Sequence, residues 1–297
     1  MRKSVISTIV SILWFTSIGT SQPREVAITI DDVPNVQLAR RKDRQSILLS
    51  RIDSLNLPVA VFINEHNLYR VGKFNENRDK LEAWLHSENI TAGNHGYSHM
   101  NYGDTTLEAF QREVLKGELI TRELTGQPVR YFRFPFNSLG KDSVAHRTIK
   151  DFLDAHGYTT TPFTIESEDW AFNAKYIDAL RAGDPSAAAE IGRQYITHTL
   201  ALFDYFETLS VRLHNRNIKH IYLCHDNLLN TDFLVPLISR LRQKGYTFIS
   251  IEDSLRDPVY QSTDYYTGRF GFSWVYRWQP DEAKRKMMMR GEPRSNN

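Results

Sequence analysis

Short, β-branched apolar runs alternate along this chain with segments whose apolar residues recur every three or four positions, and that alternation restricts the fold more than any other feature. EVAITI (25–30) and PVAVFIN (58–64) have the length and composition of buried strands. Between them, Ile47, Leu48, Ile52 and Leu55 predict a helix over 43–55. Leu81, Trp84 and Leu85 do the same for 76–89, and Leu107, Phe110, Val114 and Leu124 for 105–124. RYFRFP (130–135), IKHIYLC (218–224) and YTFISI (246–251) predict later strands. Strands that alternate with helices make a parallel sheet, wound flat or closed into a barrel, and in either case chemistry gathers at the C-terminal ends of the strands.

With 297 residues, 41% of them hydrophobic, the chain is long and apolar enough for one large α/β domain. Lys plus Arg number 37 against 35 Asp plus Glu, and no basic stripe is interleaved with aromatics, so a nucleic-acid partner has no electrostatic footprint. The first 21 residues read as a signal peptide: Arg2 and Lys3, an apolar stretch from about Val5 to Ile18, then Gly19, Thr20 and Ser21. The apolar run is short for a bilayer span, which argues against a stable membrane anchor. No cysteine follows it, and the sole cysteine, Cys224, has no internal partner for a disulfide. The mature chain is expected to be exported, periplasmic or secreted; nothing in the sequence fixes its oligomeric state.

The rule that chemistry sits at strand ends sorts the polar residues. Asp31 and Asp32 follow EVAITI directly, where adjacent carboxylates repel and resist desolvation unless something cationic offsets them. They could instead cap a turn ahead of Pro34. In GNHGYSH (93–99), His95 and His99 stand four apart, a spacing that can converge on one ion if the backbone coils. With Asp32 they complete a set of two histidines and one carboxylate that leaves positions open for water. Arg133, at the end of the RYFRFP strand, could orient an aspartate, and the Pro-fixed turn behind it leaves the Phe136 backbone N–H as a candidate oxyanion donor. His225, in LCHDN, suits a proton donor for a leaving amine, and Asp169 in ESEDW could pair with it. Each of these residues has an ordinary structural explanation when taken alone. Together they are the equipment for metal-assisted hydrolysis of an amide or ester.

TIDDV, HGYSH, RFPFN, ESEDW and LCH, in this order, resemble the five motifs of the polysaccharide deacetylases, carbohydrate esterase family 4, over roughly residues 25–255. The usual forms are TFDDG, H-[ST]-x-x-H, R-x-P-[YF]-G, D-x-x-D-W and L-x-H. The resemblance implies a distorted (β/α)7 barrel, an α/β fold, and removal of acetyl groups from amino sugars or acetylated sugars with one divalent metal, usually zinc. By position it implies Asp31 as general base, Asp32, His95 and His99 as metal ligands, and Arg133 as the residue that orients Asp31. The Phe136 backbone would help bind the oxyanion, His225 would be the general acid tuned by Asp169, and Trp170 and Leu223 would line a pocket for the acetyl methyl.

Four positions depart from the family pattern. Gly96 stands for the usual Ser or Thr, which predicts the loss of a loop-ordering hydrogen bond. Val33 and Asn137 each replace a turn glycine; Asn tolerates left-handed angles better than Val does, so the path after Asp32 is expected to differ. Glu166 stands for an Asp outside the direct chemistry. The domain is expected over 22–258 with a helical insertion at about 171–217, whose Ile191, Tyr195, Leu202, Phe206 and Leu209 suit packing more than a substrate cleft. An extension over 259–297 carries eight aromatic residues between 260 and 278, suited to sealing a barrel more than to stacking on sugars. The expected function is a zinc-dependent deacetylase of an N-acetylated glycan (peptidoglycan, a chitin oligomer or an exopolysaccharide). Its rivals are hydrolysis of a non-glycan amide or an acetyl ester at the same site, and a carbohydrate-binding protein without turnover.

Overall fold

The computed structural model describes residues 22–36 and 44–295; the predicted signal peptide lies outside them. In chain order the elements are β1 (Arg24–Val33), α1 (Arg44–Ser54), β2 (Val59–Ile63), α2 (Phe74–Leu85), β3 (Ile90–Asn94), α3 (Leu107–Lys116), α4 (Leu119–Thr125), β4 (Tyr131–Phe132), α5 (Ser143–Ala155), β5 (Thr159–Thr160), β6 (Ile165–Glu166), α6 (Asp169–Arg181), α7 (Pro185–His214), β7 (His220–His225), α8 (Leu228–Gln243), β8 (Tyr246–Phe248), α9 (Ile251–Leu255), α10 (Trp274–Arg277) and α11 (Glu282–Gly291). Every strand pairing is parallel. Seven strands run in the order β5-β4-β3-β2-β1-β7-β6, and β8 pairs with the start of β1. The sheet is the expected distorted barrel, left open: among the described residues no pairing joins β5 to β6.

β1 lies at the centre of the sheet with both faces buried, Val26 to Ile30 being inaccessible to solvent and apolar except for Thr29, as a strand covered by helices on one side and barrel interior on the other requires. The strands β3, β5 and β6 gave no signal in the sequence. The first is half polar (ITAGN), and the other two have two residues each, too few for a period to register. RYFRFP supplies only Tyr131–Phe132 before the chain turns at Pro135. The predicted helix over 105–124 is two helices broken at Gly117. A Cβ on Gly117 would lie 2.7 Å from both Asn94 Oδ1 and the Gly96 carbonyl carbon, so the glycine is what lets this helical layer close onto the end of β3.

The insertion is two helices, α6 and the 30-residue α7, which buries Tyr195, Leu202, Phe203 and Phe206 against the sheet. The aromatic tail fills the open side of the barrel. Trp274 N–H donates to the Phe163 carbonyl at 3.0 Å and Ser273 Oγ to that of Thr164 at 2.7 Å, both in the link between β5 and β6. Trp274, Tyr276 and Trp278 are buried there, and the fully buried Arg277 pairs with Asp264 under the Trp274 ring. None of the described helices is long and apolar enough to cross a membrane.

Candidate active site

β1 runs past Ile30 and carries both aspartates within the strand. Its register against β2 shifts from Ile30↔Val61 to Val33↔Ile63, three residues facing two, and Asp32 takes φ 65°. Successive residues of a regular strand point to opposite faces; this bulge turns two adjacent carboxylates toward one cavity. The left-handed residue is therefore Asp32 itself, and Val33 keeps ordinary strand geometry. Where the sequence predicted an altered path after Asp32, the alteration sits on an Asp, which tolerates that conformation.

His95 and His99 lie in an irregular coil after β3 rather than on a helix, and Gly96 (φ 72°) and His99 (φ 62°) bend it so that the two rings meet with centroids 5.0 Å apart. The hydrogen bond expected from a Ser or Thr at position 96 is replaced several times over. Asn94 Oδ1 accepts from the Gly96 N–H at 2.8 Å, and Asn64 Nδ2 donates to the carbonyls of His95 and Gly96 at 2.6 and 3.0 Å. Glu113 accepts from both the N–H and the hydroxyl of Ser98.

Arg133 is fully buried beneath the cavity rather than on its wall. It donates to Asp31 Oδ1 at 2.9 Å, Thr29 Oγ1 at 2.6 Å and the carbonyls of Thr161 and Pro162, with its guanidinium 4.2 Å above the Phe62 ring. Its own carbonyl accepts from His95 Nδ1 at 2.8 Å, so Arg133 orients both a carboxylate and an imidazole. In the turn behind it, Phe136 (φ 55°) and Asn137 (φ 50°) are both left-handed, the second in the place of a glycine, as its amide side chain allows. The Phe136 N–H makes no hydrogen bond among the described residues, and the ring, 57% exposed, packs edge-on against His99.

Across the cavity, His225 ends β7 beside Asp31, its register partner on β1. Its Nδ1 donates to Asp169 Oδ1 at 2.7 Å, while Asp169 Oδ2 accepts from the His225 N–H and from the amides of Asn227 and Asn230. Asp169 is fully buried at the first residue of α6, where the helix dipole favours a carboxylate. Burial opposes the His225 cation, but the charge and hydrogen bond of Asp169, then Asp32 and Asp31, outweigh it and raise the imidazole to about 10. Asn227 and Asn230 escaped the sequence reading. The legible signal was LCHDN itself, whose final Asn caps α8 and turns inward. Glu166 also belongs to the site: burial, then repulsion from Asp169, pushes its carboxyl up to about 8, so the wall carries a neutral acid near pH 7.

The cavity has a volume of about 660 Å³. Asp31, Asp32, His95, His99, Phe136, Trp170, Leu223 and His225 line it, with Arg133 and Asp169 packed directly behind. All ten residues singled out from the sequence thus meet at one place. Trp170, 60% exposed, stands at the mouth, whereas Leu223 is buried in the wall.

The donor set fits a divalent metal. One ligand atom from each of Asp32, His95 and His99 lies within 4.8 Å of the others, and Asp32 Oδ1 is 3.5 Å from His99 Nε2 and 3.9 Å from His95 Nε2. A tetrahedral zinc with bonds of about 2.1 Å spaces its ligands about 3.4 Å apart. Burial, reinforced by His99, pushes His95 down to about 3, so its ring is neutral. Because Nδ1–H is committed to the Arg133 carbonyl, the bare Nε2 lone pair faces Asp31 Oδ2 at 3.5 Å and Asp32 beyond it. Acceptors that face one another without a proton between them repel, and a cation among them removes the repulsion.

The polysaccharide deacetylase family model matches residues 18–161. YheN of Bacillus subtilis, which bears the name of a polysaccharide deacetylase, is 24% identical over 241 residues, covering 80% of this chain and 70% of YheN. Among solved structures, the chitin deacetylase of the fungal pathogen Colletotrichum lindemuthianum is similar with a TM-score of 0.54 at 20% identity, covering 80% of this chain and 89% of that one. A pseudoenzyme of carbohydrate esterase family 4 from Bacillus anthracis has a TM-score of 0.53 at 18% identity, over 78% of this chain and 66% of its own. At such identities the likeness concerns the fold, which active and inactive proteins share. By the family model over residues 18–161, its motifs in order and its curled parallel sheet, the chain is similar to the polysaccharide deacetylases.

Proposed function

We propose that the protein is an exported, zinc-dependent hydrolase that removes acetyl groups from an N-acetylated glycan. The observation that supports this most is the meeting of Asp31, Arg133, His225 and Asp169 with the Asp32, His95 and His99 donor set around one cavity. Asp32, His95 and His99 would hold a divalent metal, which would supply a Lewis acid that makes water acidic enough to be deprotonated near neutral pH. Asp31, fixed by Arg133, takes the proton of the attacking water. The Phe136 N–H faces the developing oxyanion. His225, whose Nδ1 is tied to Asp169, keeps Nε2 for the leaving nitrogen and, being raised above neutrality, holds the proton it must deliver. Leu223 and Trp170 flank the acetyl methyl.

Because the fold is shared with a pseudoenzyme, the fold alone does not argue for turnover. The paired base and acid do: a binding protein needs neither Asp31 held by Arg133 nor His225 held by Asp169. Acetate release from N-acetylglucosamine oligomers and peptidoglycan fragments is the test, before and after chelation and after zinc restoration. Release that chelation abolishes and zinc restores supports the reading. Stoichiometric zinc with no release from either substrate refutes it in favour of esters, small cyclic amides or binding alone. Export is tested separately by sequencing the N-terminus of protein made in a secreting host, and an intact Met1 would refute it.

A further inference from the structure

Resting on that reading, we propose that Arg70 recognises a carboxylate on the glycan, so that the substrate is an acetylated glycan containing an acidic sugar. Arg70 is the one Arg or Lys among the described residues of the cavity wall. The same wall carries Asp31, Asp32, Glu166 and Asp226, yet among the described residues the Arg70 guanidinium pairs with none of them and makes no hydrogen bond, only its backbone carbonyl being engaged, by Asn77. An arginine that serves the fold is normally committed to carbonyls or carboxylates, as Arg133 is here; one left open in an acid-rich cavity is available to an incoming anion, and its planar fork matches a carboxylate in two parallel bonds.

The backbone around Arg70 is held in place at several points. Asn67 Nδ2 reaches the Asp32 carbonyl at 3.4 Å, tying this turn to the bulge that carries the metal ligand. The fully buried Asn77 donates to the carbonyls of Leu68 and Arg70, both at 3.1 Å. Val71 then takes φ 58°, an outlier for a β-branched residue that persists only where the surroundings over-determine it. The exposed Arg70 side chain therefore leaves a fixed turn beside the catalytic groups, where a flexible loop would have served solvation equally well. The carboxylate could be a lactyl ether on the acetylated ring itself or a uronic acid in the next ring, and the chemistry that Arg70 reads is the same.

The test compares zinc-loaded wild-type and R70Q protein by calorimetry, with acetate release followed in parallel. The ligands are lactyl-bearing glycan oligomers, uronic-acid-containing oligomers, and the carboxyl-reduced form of each. The wild type should bind one acidic oligomer about tenfold tighter than its reduced form, the scale of a charge-assisted bidentate pair. R70Q should abolish that difference without weakening the neutral form, and about 0.5 M salt should shrink it. The arm that shows the preference names the source of the carboxylate. Equal affinity for acidic and reduced forms, equal weakening of both by R70Q, or no binding of either overturns the inference. A carboxylate preference without acetate release would refute the deacetylase reading and leave the role of Arg70 standing.

Discussion

Asp31→Asn separates the proposed catalytic base from the proposed metal site beside it. Asparagine keeps a carbonyl oxygen where Oδ1 accepts from Arg133 at 2.9 Å, so the side chain should stay in place. It loses the oxygen that faces the cavity, 3.5 Å from His95 Nε2, and with it the ability to take a proton. A positioned base contributes roughly 10²- to 10⁴-fold, or about 2.7–5.4 kcal/mol of barrier, so the rate should fall by at least ~10². Stability should fall as well, because the fully buried Arg133 loses its charged partner while keeping Thr29 and the carbonyls of Thr161 and Pro162. These three neutral acceptors and the asparagine carbonyl limit that loss to about 1–3 kcal/mol, below the cost of stripping a buried charge bare. Zinc should still bind stoichiometrically, since Asp32, His95 and His99 are untouched. Acetate release at saturating substrate, zinc per chain after dialysis, and urea midpoints measure the three effects. Zinc-loaded variant that turns over within a fewfold of wild type would refute the base assignment, and a variant without zinc would show that Asp31 is itself a ligand.

Asp169→Asn removes the principal charge that holds His225 up at about 10; the acid form is present below that pKa, so the alkaline limb of the rate profile should move to lower pH by more than a unit, and an unmoved limb would exclude His225 as the acid. His99→Ala should leave zinc below one per chain after dialysis; full retention would break the three-residue metal site. Glu166, raised to about 8 in the folded chain, keeps a proton that the unfolded chain gives up from about pH 4.5, so stability declines between those values; Glu166→Gln should flatten the decline in urea midpoints from pH 5 to 9. Gly271→Ala sets a Cβ 2.1 Å from the Phe136 carbonyl oxygen and should cost at least about 1 kcal/mol in urea unfolding while disturbing the 135–137 turn.

The alternation of strand and helix and the convergence of five separated stretches at strand ends were legible in the sequence, because burial forces period and composition on core strands and because metal-ligating and proton-transferring side chains are chemically distinctive; Trp170 and Leu223 were placed only by the family resemblance. The short strands β5 and β6 and the break at Gly117 were not legible: two residues carry no period, and only contact with Asn94 and Gly96 shows why the helical layer has a glycine there. The polar residues that support the site were hidden for a related reason. Thr29, Asn64, Asn227 and Asn230 are ordinary in composition and acquire a role only through partners 31 or more positions away.

The sequence by itself determined which chemistry the chain carries, since side-chain identity decides what can bind a metal, take a proton or give one. Only the tertiary structure decided how two adjacent aspartates share one cavity, which imidazole nitrogen is bare, and which arginine is spent on the fold and which is open to a ligand. Those properties depend on a bulge, a hydrogen bond from His95 to a carbonyl 38 residues away, and the burial of Arg133 against the exposure of Arg70, none of which is a property of a residue type.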